Sequence, residues 1–165
     1  MNANRSLLLL RHAQAVPFLS AEGDIGRSLT EHGVSQAKSV GVWMAGQPLD
    51  LRRVFCSPAR RTKETLAGLS LDDSRLDVQY ESTIFNASLS RLLQLVDQPW
   101  QGGLLLIGHN PGLEELLNYL VDLSNIFSMQ PASLAWLSLA ERDQALEQGS
   151  AHLKGLVDFG VTRKN

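Results

Sequence analysis

The clearest pattern along the chain is a set of short, wholly apolar runs set between longer stretches with apolar residues at helical spacing. Residues 7–10 (LLLL) and 104–107 (LLLI) are aliphatic throughout and bounded by polar positions. A strand with one wet face alternates apolar and polar side chains. An uninterrupted run instead predicts a strand buried on both faces, as in a parallel sheet covered by helices. Residues 53–56, 76–80, 134–139 and 150–159 read as further strands, and 2–6 as a loose end. Residues 140–149 predict a hairpin connection or a short helix.

Between these runs the period changes to that of a helix. Thr30 predicts an N-cap, followed by Val34, Ala37, Gly41 and Met44 on one stripe and Gly46 at the stop. Ser57-Pro58 predicts the next helix start, with Ser57 as cap, Pro58 in the first turn, and Ala59, Thr62, Leu66 and Leu69 inward. Ser88 opens a third helix carrying Leu89, Leu92, Leu93 and Val96, ended by Pro99. Asn110-Pro111 opens a fourth, with Leu113, Leu116, Leu117 and Leu120 inward and Asn110 as cap. Strands alternating with helices predict an α/β three-layer sandwich with a mainly parallel central sheet. No repeat or linker interrupts the pattern, so residues 1–165 read as one domain.

Composition narrows the function classes. A net charge of -2 offers no bulk attraction for nucleic acid. The leucine run after Arg5 is too short for a signal-peptide core, and nothing approaches the roughly 20 apolar residues of a membrane span. Cys56 is the only cysteine and has no disulfide partner within the chain, which predicts a reducing, cytoplasmic setting.

In open α/β sheets, ligands bind beyond the carboxyl ends of the strands. Arg11 and His12 follow the first buried run, Arg60 and Arg61 come soon after 53–56, and His109 and Asn110 follow 104–107. Histidines, arginines and two helix N-termini aimed at one edge describe a pocket for a compact dianion. Phosphate fits best, because guanidinium forks pair several oxygens at once.

These residues carry a resemblance. Arg11-His12-Ala13 is similar to the RHG/RHA signature of the histidine phosphatase (phosphoglycerate mutase-like) superfamily. Arg27-Ser28-Leu29-Thr30 with Gly33 and Gln36-Ala37, Ser57-Pro58 with Arg61 and Thr65, and Gly108-His109-Asn110-Pro111-Gly112 match further segments in order. Together they cover about two-thirds of the chain, and the short length resembles the SixA-type phosphohistidine phosphatases most. The resemblance implies a phosphoglycerate mutase-like fold and a phosphatase that needs no cofactor or metal. It makes His12 the nucleophile and Arg11, Arg61 and His109 the ligands of the phosphoryl oxygens. Larger members of the family carry a glutamate as general acid. Glu81 is the first candidate here and Asp24 the second, each weighed against a plain exposed carboxylate. Arg27 reads equally as part of the pocket rim or as a loop-ordering ion pair, and Arg60 as surface.

The chain also departs from the mutase branch. Phe18 replaces an asparagine, Gln14 stands where an acid is common, and no insertion builds a lid. An open site suits a phosphorylated protein, such as a histidine-phosphotransfer domain, with a small phosphate ester as the alternative substrate. A phosphate-binding module without activity is a further alternative. The arginines after Cys56 come too early for a cysteine-phosphatase loop, no P-loop motif is present, and His12, His32, His109 and His152 lack zinc-ligand spacing.

Overall fold

The apolar runs form the centre of a six-stranded sheet. The computed structural model describes residues 5–18, 23–121, 126–139 and 145–160. Its strands are β1 (Arg5–Arg11), β2 (Leu51–Cys56), β3 (Asp77–Tyr80), β4 (Gly103–Gly108), β5 (Leu134–Leu139) and β6 (Ala151–Val157). They lie in the order β3-β2-β4-β1-β5-β6. β1 to β4 are mutually parallel, and β5 runs antiparallel to both its neighbours. The predicted α/β fold with a mainly parallel sheet is what the chain adopts.

The four helices are α1 (Glu31–Ala45), α2 (Arg60–Gly68), α3 (Leu89–Val96) and α4 (Gly112–Leu120). Successive strand side chains point to opposite faces. Leu7, Leu9, Leu104 and Leu106 therefore pack under α3 and α4 with Leu92, Leu95, Leu113 and Leu117. Leu8, Leu10, Leu105 and Ile107 pack with Ala37, Val40 and Met44 of α1. All eight strand side chains are fully buried. Each such aliphatic side chain contributes roughly 1.5–3 kcal/mol of burial, which is why continuous apolar runs occupy the middle of a three-layer sandwich.

Several local expectations need correction. Val34 is 41% exposed, and the inward stripe of α1 is Gly33, Gln36, Ala37, Val40, Gly41 and Met44. Gly33 is there because a side chain would collide with the carbonyl of Gln14, in the loop after β1. Ser57 does not cap α2, nor does Pro58 open it: the helix begins at Arg60 after Ala59, and its buried face holds Arg61, Thr62 and Thr65. Asn110 does not cap α4, which begins at Gly112. Arg5 and Ser6 are strand rather than loose end, and β2 starts at Leu51. The caps Thr30 and Ser88 accept from Gly33 N and Arg91 N, as their positions predict. Residues 140–144 of the predicted connection lie outside the described residues.

Candidate active site

β1, β2 and β4 end at one edge of the sheet, and each is followed directly by a polar side chain of the site. His12 follows β1, Ser57 follows β2 and His109 follows β4. The His12 and His109 ring centroids are 5.3 Å apart. Arg61 reaches this pair from the first turn of α2, with Nη2 3.2 Å from His109 Nδ1. Three of the four residues expected to form the phosphate site thus gather at one place, and the fourth, Arg11, ends β1 close enough for its charge to lower the His12 pKa. Phe85 stacks edge-on against His109 and lies under the Arg61 guanidinium, closing one side.

The surrounding hydrogen bonds fix the tautomer of both histidines. His12 Nδ1 lies 2.7 Å from the carbonyl of Ala13. A carbonyl only accepts, so Nδ1 carries the proton and Nε2 the lone pair. Ala13 N in turn donates to Thr65 Oγ1, which ties this peptide to α2. At His109 the logic reverses. Arg61 can only donate, so Nδ1 is the acceptor and Nε2–H donates to Ser57 Oγ at 2.7 Å.

Both rings are neutral at physiological pH. His12 is lowered from 6.5 to about 4, chiefly by burial, with its bond to Ala13 opposing and the charges of Arg61 and Arg11 adding to the shift. His109 is lowered to about 3, again by burial first and then by Arg61. Roughly one His12 ring in 10³ is protonated at pH 7, so the nucleophilic form dominates.

A pH dependence follows. The unfolded chain binds protons on these histidines below about 6.5, and the folded chain binds them only near 4 and 3. Their contribution to stability is therefore full above about pH 6.5 and is lost as pH falls through that window. The urea midpoint should drop between pH 7 and pH 4.5. After correction for substrate ionisation, kcat/KM should stay level down to about pH 5 and fall below it. A limb centred near 6.5 would show that His12 is not in this buried, neutral state.

The two arginines are held by opposite walls. Arg11 Nη1 donates to Met129 O at 2.7 Å, and Asn110 Nδ2 donates to the same carbonyl. Glu114 Oε1 accepts from both Asn110 Nδ2 and Met129 N, so it anchors the segment that holds Arg11. Burial lowers the Arg11 pKa and the charge of Glu114 raises it, with a net lowering. Arg61, 4% exposed, donates through Nη1 to Asp24 O and through Nη2 to Asp24 Oδ2 at 3.0 Å.

Asp24 therefore sits in the site as a carboxylate. Burial raises its pKa, but Arg61 and Arg27 more than offset this, and the net shift is downward. An ionised carboxylate has no proton to give. As placed, Asp24 is a partner of Arg61 rather than an acid. Arg27 pairs with Asp24 and donates to Val16 O, which orders the loop, and its charge also reaches the pocket, where it helps to lower the pKa of His12 and His109. Arg60 pairs with Glu64 on the exposed side of α2. Glu81 follows β3 at the same sheet edge, where its N–H donates to Cys56 O. Its carboxylate makes no hydrogen bond to Arg11, His12, Arg61 or His109. Cys56 is buried and pushed up to about 12 by that burial, so only roughly one thiol in 10⁵ is ionised at neutral pH.

Two residues of the site escaped the reading of the sequence. Ser57 orients His109, but serine before proline after a strand carries the same signature as a helix cap. Glu114 reads as a favourable charge in a first helical turn, and its partner Met129 is remote in sequence. Among the described residues, no group of histidines, cysteines and carboxylates has the makings of a metal site.

Comparison with known proteins bears on this geometry. The model of the histidine phosphatase superfamily (branch 1) matches residues 7–89. The phosphohistidine phosphatase SixA of Escherichia coli is 31% identical over 120 residues, covering 70% of this chain and 71% of that protein. A SixA structure from Nakamurella multipartitia superposes with a TM-score of 0.80 at 27% identity, covering 93% of this chain and 95% of the other. A mycobacterial glucosyl-3-phosphoglycerate phosphatase shares the fold at a TM-score of 0.66 and 18% identity, covering 91% and 97%.

Proposed function

The chain belongs to the histidine phosphatase superfamily, branch 1, and we propose that it removes phosphate from phosphohistidine on other proteins through a phosphoenzyme formed on His12. The observation that carries this reading is the His12 ring. It is neutral, its Nδ1–H is committed to Ala13, and Nε2 is left as a nucleophile beside the Arg11 and Arg61 charges. The resemblance to the SixA proteins supports the choice of substrate.

In the first step the Nε2 lone pair attacks phosphorus in line with the substrate's P–N bond. That bond breaks and its electron pair leaves on the substrate imidazole, which takes a proton from solvent. In the second step water attacks the phosphorus on His12. Inorganic phosphate departs, His12 recovers its lone pair, and the proton released by the water passes to solvent. Arg11 and Arg61 hold the phosphoryl oxygens and stabilise the charge they gather.

Asp24 and His109 take three of the five Arg61 N–H groups, which leaves one Nη1 hydrogen and the buried, unpartnered Nε–H for the phosphoryl oxygens. A bound dianion raises the pKa of His109. Once protonated, that ring donates through Nδ1 to the phosphoryl group and no longer needs the Arg61 N–H.

The substrate class follows from the leaving group. An alkoxide is a strong base, and cleaving an alkyl phosphate without a proton donor forgoes roughly 10²–10⁴-fold in rate. The imidazole of phosphohistidine leaves far more easily. The site holds two neutral histidines and an ionised Asp24, and Glu81 is its candidate acid for esters. The test is a comparison of kcat/KM on a phosphohistidine protein or phosphoramidate with that on sugar phosphates and phosphoserine, with and without chelator. The P–N substrates should be cleaved at least about 10²-fold faster. Chelation should change nothing, because side chains supply the charge stabilisation. Glu81→Gln should slow residual ester cleavage more than P–N cleavage. Better turnover of sugar or nucleotide phosphates would replace this reading with a small-molecule phosphomonoesterase, a reading that the position of Glu81 at the same sheet edge favours.

A further inference from the structure

A second cleft lies beside the nucleophile, on the β5–β6 side of β1. Its volume is about 350 Å³, and it is lined by Gln14, His32, Gln36, Gln130, Pro131, Asp158 and Gly160. Four segments build it. Gln14 lies two residues past His12, within about 7 Å along the chain. His32 and Gln36 stand one turn apart on α1, on the same face. Gln130 and Pro131 precede β5, and the next residue, Ala132, donates its N–H to the carbonyls of Arg11 and His12. Asp158 and Gly160 follow β6, whose end pairs through Leu134 with the end of β1. The cleft therefore opens at the same sheet edge as the catalytic pocket and shares its wall.

Gln36 makes the floor rigid. It is 4% exposed, accepts from Gln14 N through Oε1 and donates to Phe159 O through Nε2. It thus bridges the nucleophile loop to the segment after β6.

The chemistry of the lining selects the occupant. Among the described residues that line the cleft, Asp158 is the one carboxylate, and no lysine or arginine joins it. Its Oδ1 takes the N–H of Gly160, which leaves Oδ2 for a ligand. The carbonyl of the exposed Gln130 amide is a further acceptor. A second anion is repelled here. A lysine or arginine side chain brings only donors and can lay its apolar stem on the Pro131 ring. At the low end of ligand-site volumes, the cleft holds a side chain better than a cofactor. The neighbouring pocket has the opposite sign, with Arg11, Arg27 and Arg61.

We propose that this cleft is a docking subsite for a basic side chain of the phosphoprotein, placed close in space to its phosphohistidine. The proposal rests on the phosphohistidine reading and extends it to substrate selection.

The test uses synthetic peptides with a central phosphohistidine and a Lys, Met or Glu scanned over the flanking positions. Phosphoramidate serves as the substrate too small to reach the cleft. At one or more positions Lys should raise kcat/KM about three- to tenfold over Met, mainly through KM, and Glu should not. Asp158→Asn and Gln130→Ala should remove that preference and leave phosphoramidate turnover at the wild-type rate. Equal rates for all three peptide series, or a Lys preference that survives both substitutions, would overturn the subsite while leaving the phosphohistidine reading intact. Failure to cleave either peptides or phosphoramidate, with sugar phosphates turned over, would overturn both.

Discussion

His12→Ala should lower turnover by roughly 10⁴-fold or more, the scale typical of a lost nucleophile, and leave the fold in place. The first half follows from chemistry: among the described residues of the site, no other nitrogen or sulfur offers an unprotonated, unshared lone pair, and the Asp24 carboxylate is held by Arg27 and Arg61. His109 Nδ1 accepts from Arg61, its Nε2 carries a proton to Ser57, and the Cys56 thiol is neutral. The second half follows from packing. The His12 side chain makes a single hydrogen bond, to its neighbour Ala13, whose loss costs about 1 kcal/mol. Circular dichroism and the urea midpoint would verify the fold, and steady-state turnover the chemistry. Activity above a few per cent of wild type would remove His12 from its role.

Arg61→Ala should lower kcat/KM by about 10²–10³-fold, the effect of deleting one fixed donor to a charge-gathering group. Arg61 is 4% exposed and anchored at both ends of its fork, so it arrives pre-aimed rather than recruited from solvent. Its removal also leaves His109 Nδ1 without its donor and Asp24 with Arg27 alone. Because the truncation opens a buried gap, Arg61→Lys is the sharper variant. It keeps the charge but not the fork, and it should recover stability while restoring less than a tenth of the lost activity. Full recovery by lysine would mean that charge alone matters at this position, and a loss under tenfold for alanine would place Arg61 outside the site.

The sheet was legible because burial on both faces leaves a run such as Leu104 to Ile107 with no polar position, and no other local structure fits so short a run between turn residues. Thr30 and Ser88 were legible because capping is a local bond, made within three residues. Ser57 and Asn110 were misread for the complementary reason. Their side chains answer to His109 and to Met129, remote in sequence, and a cap signature cannot show that a distant partner competes for it. Arg11, His12, Arg61 and His109 were found through the ordered motifs and their positions after strands. The ion pair of Asp24 with Arg61 joins a loop to a helix 37 residues away and has no periodic trace. The cleft at Asp158 draws on four separated segments, so only the folded chain brings it together.

The most direct measurement of the central claim is rapid acid- and base-quenched mixing with a ³²P-labelled phosphoramidate, followed by peptide mapping. The account predicts a transient phosphoenzyme that is stable in base, labile in acid, located on His12 and absent from His12→Ala. Turnover without such a species, or a label that is stable in acid or mapped to another residue, would contradict it.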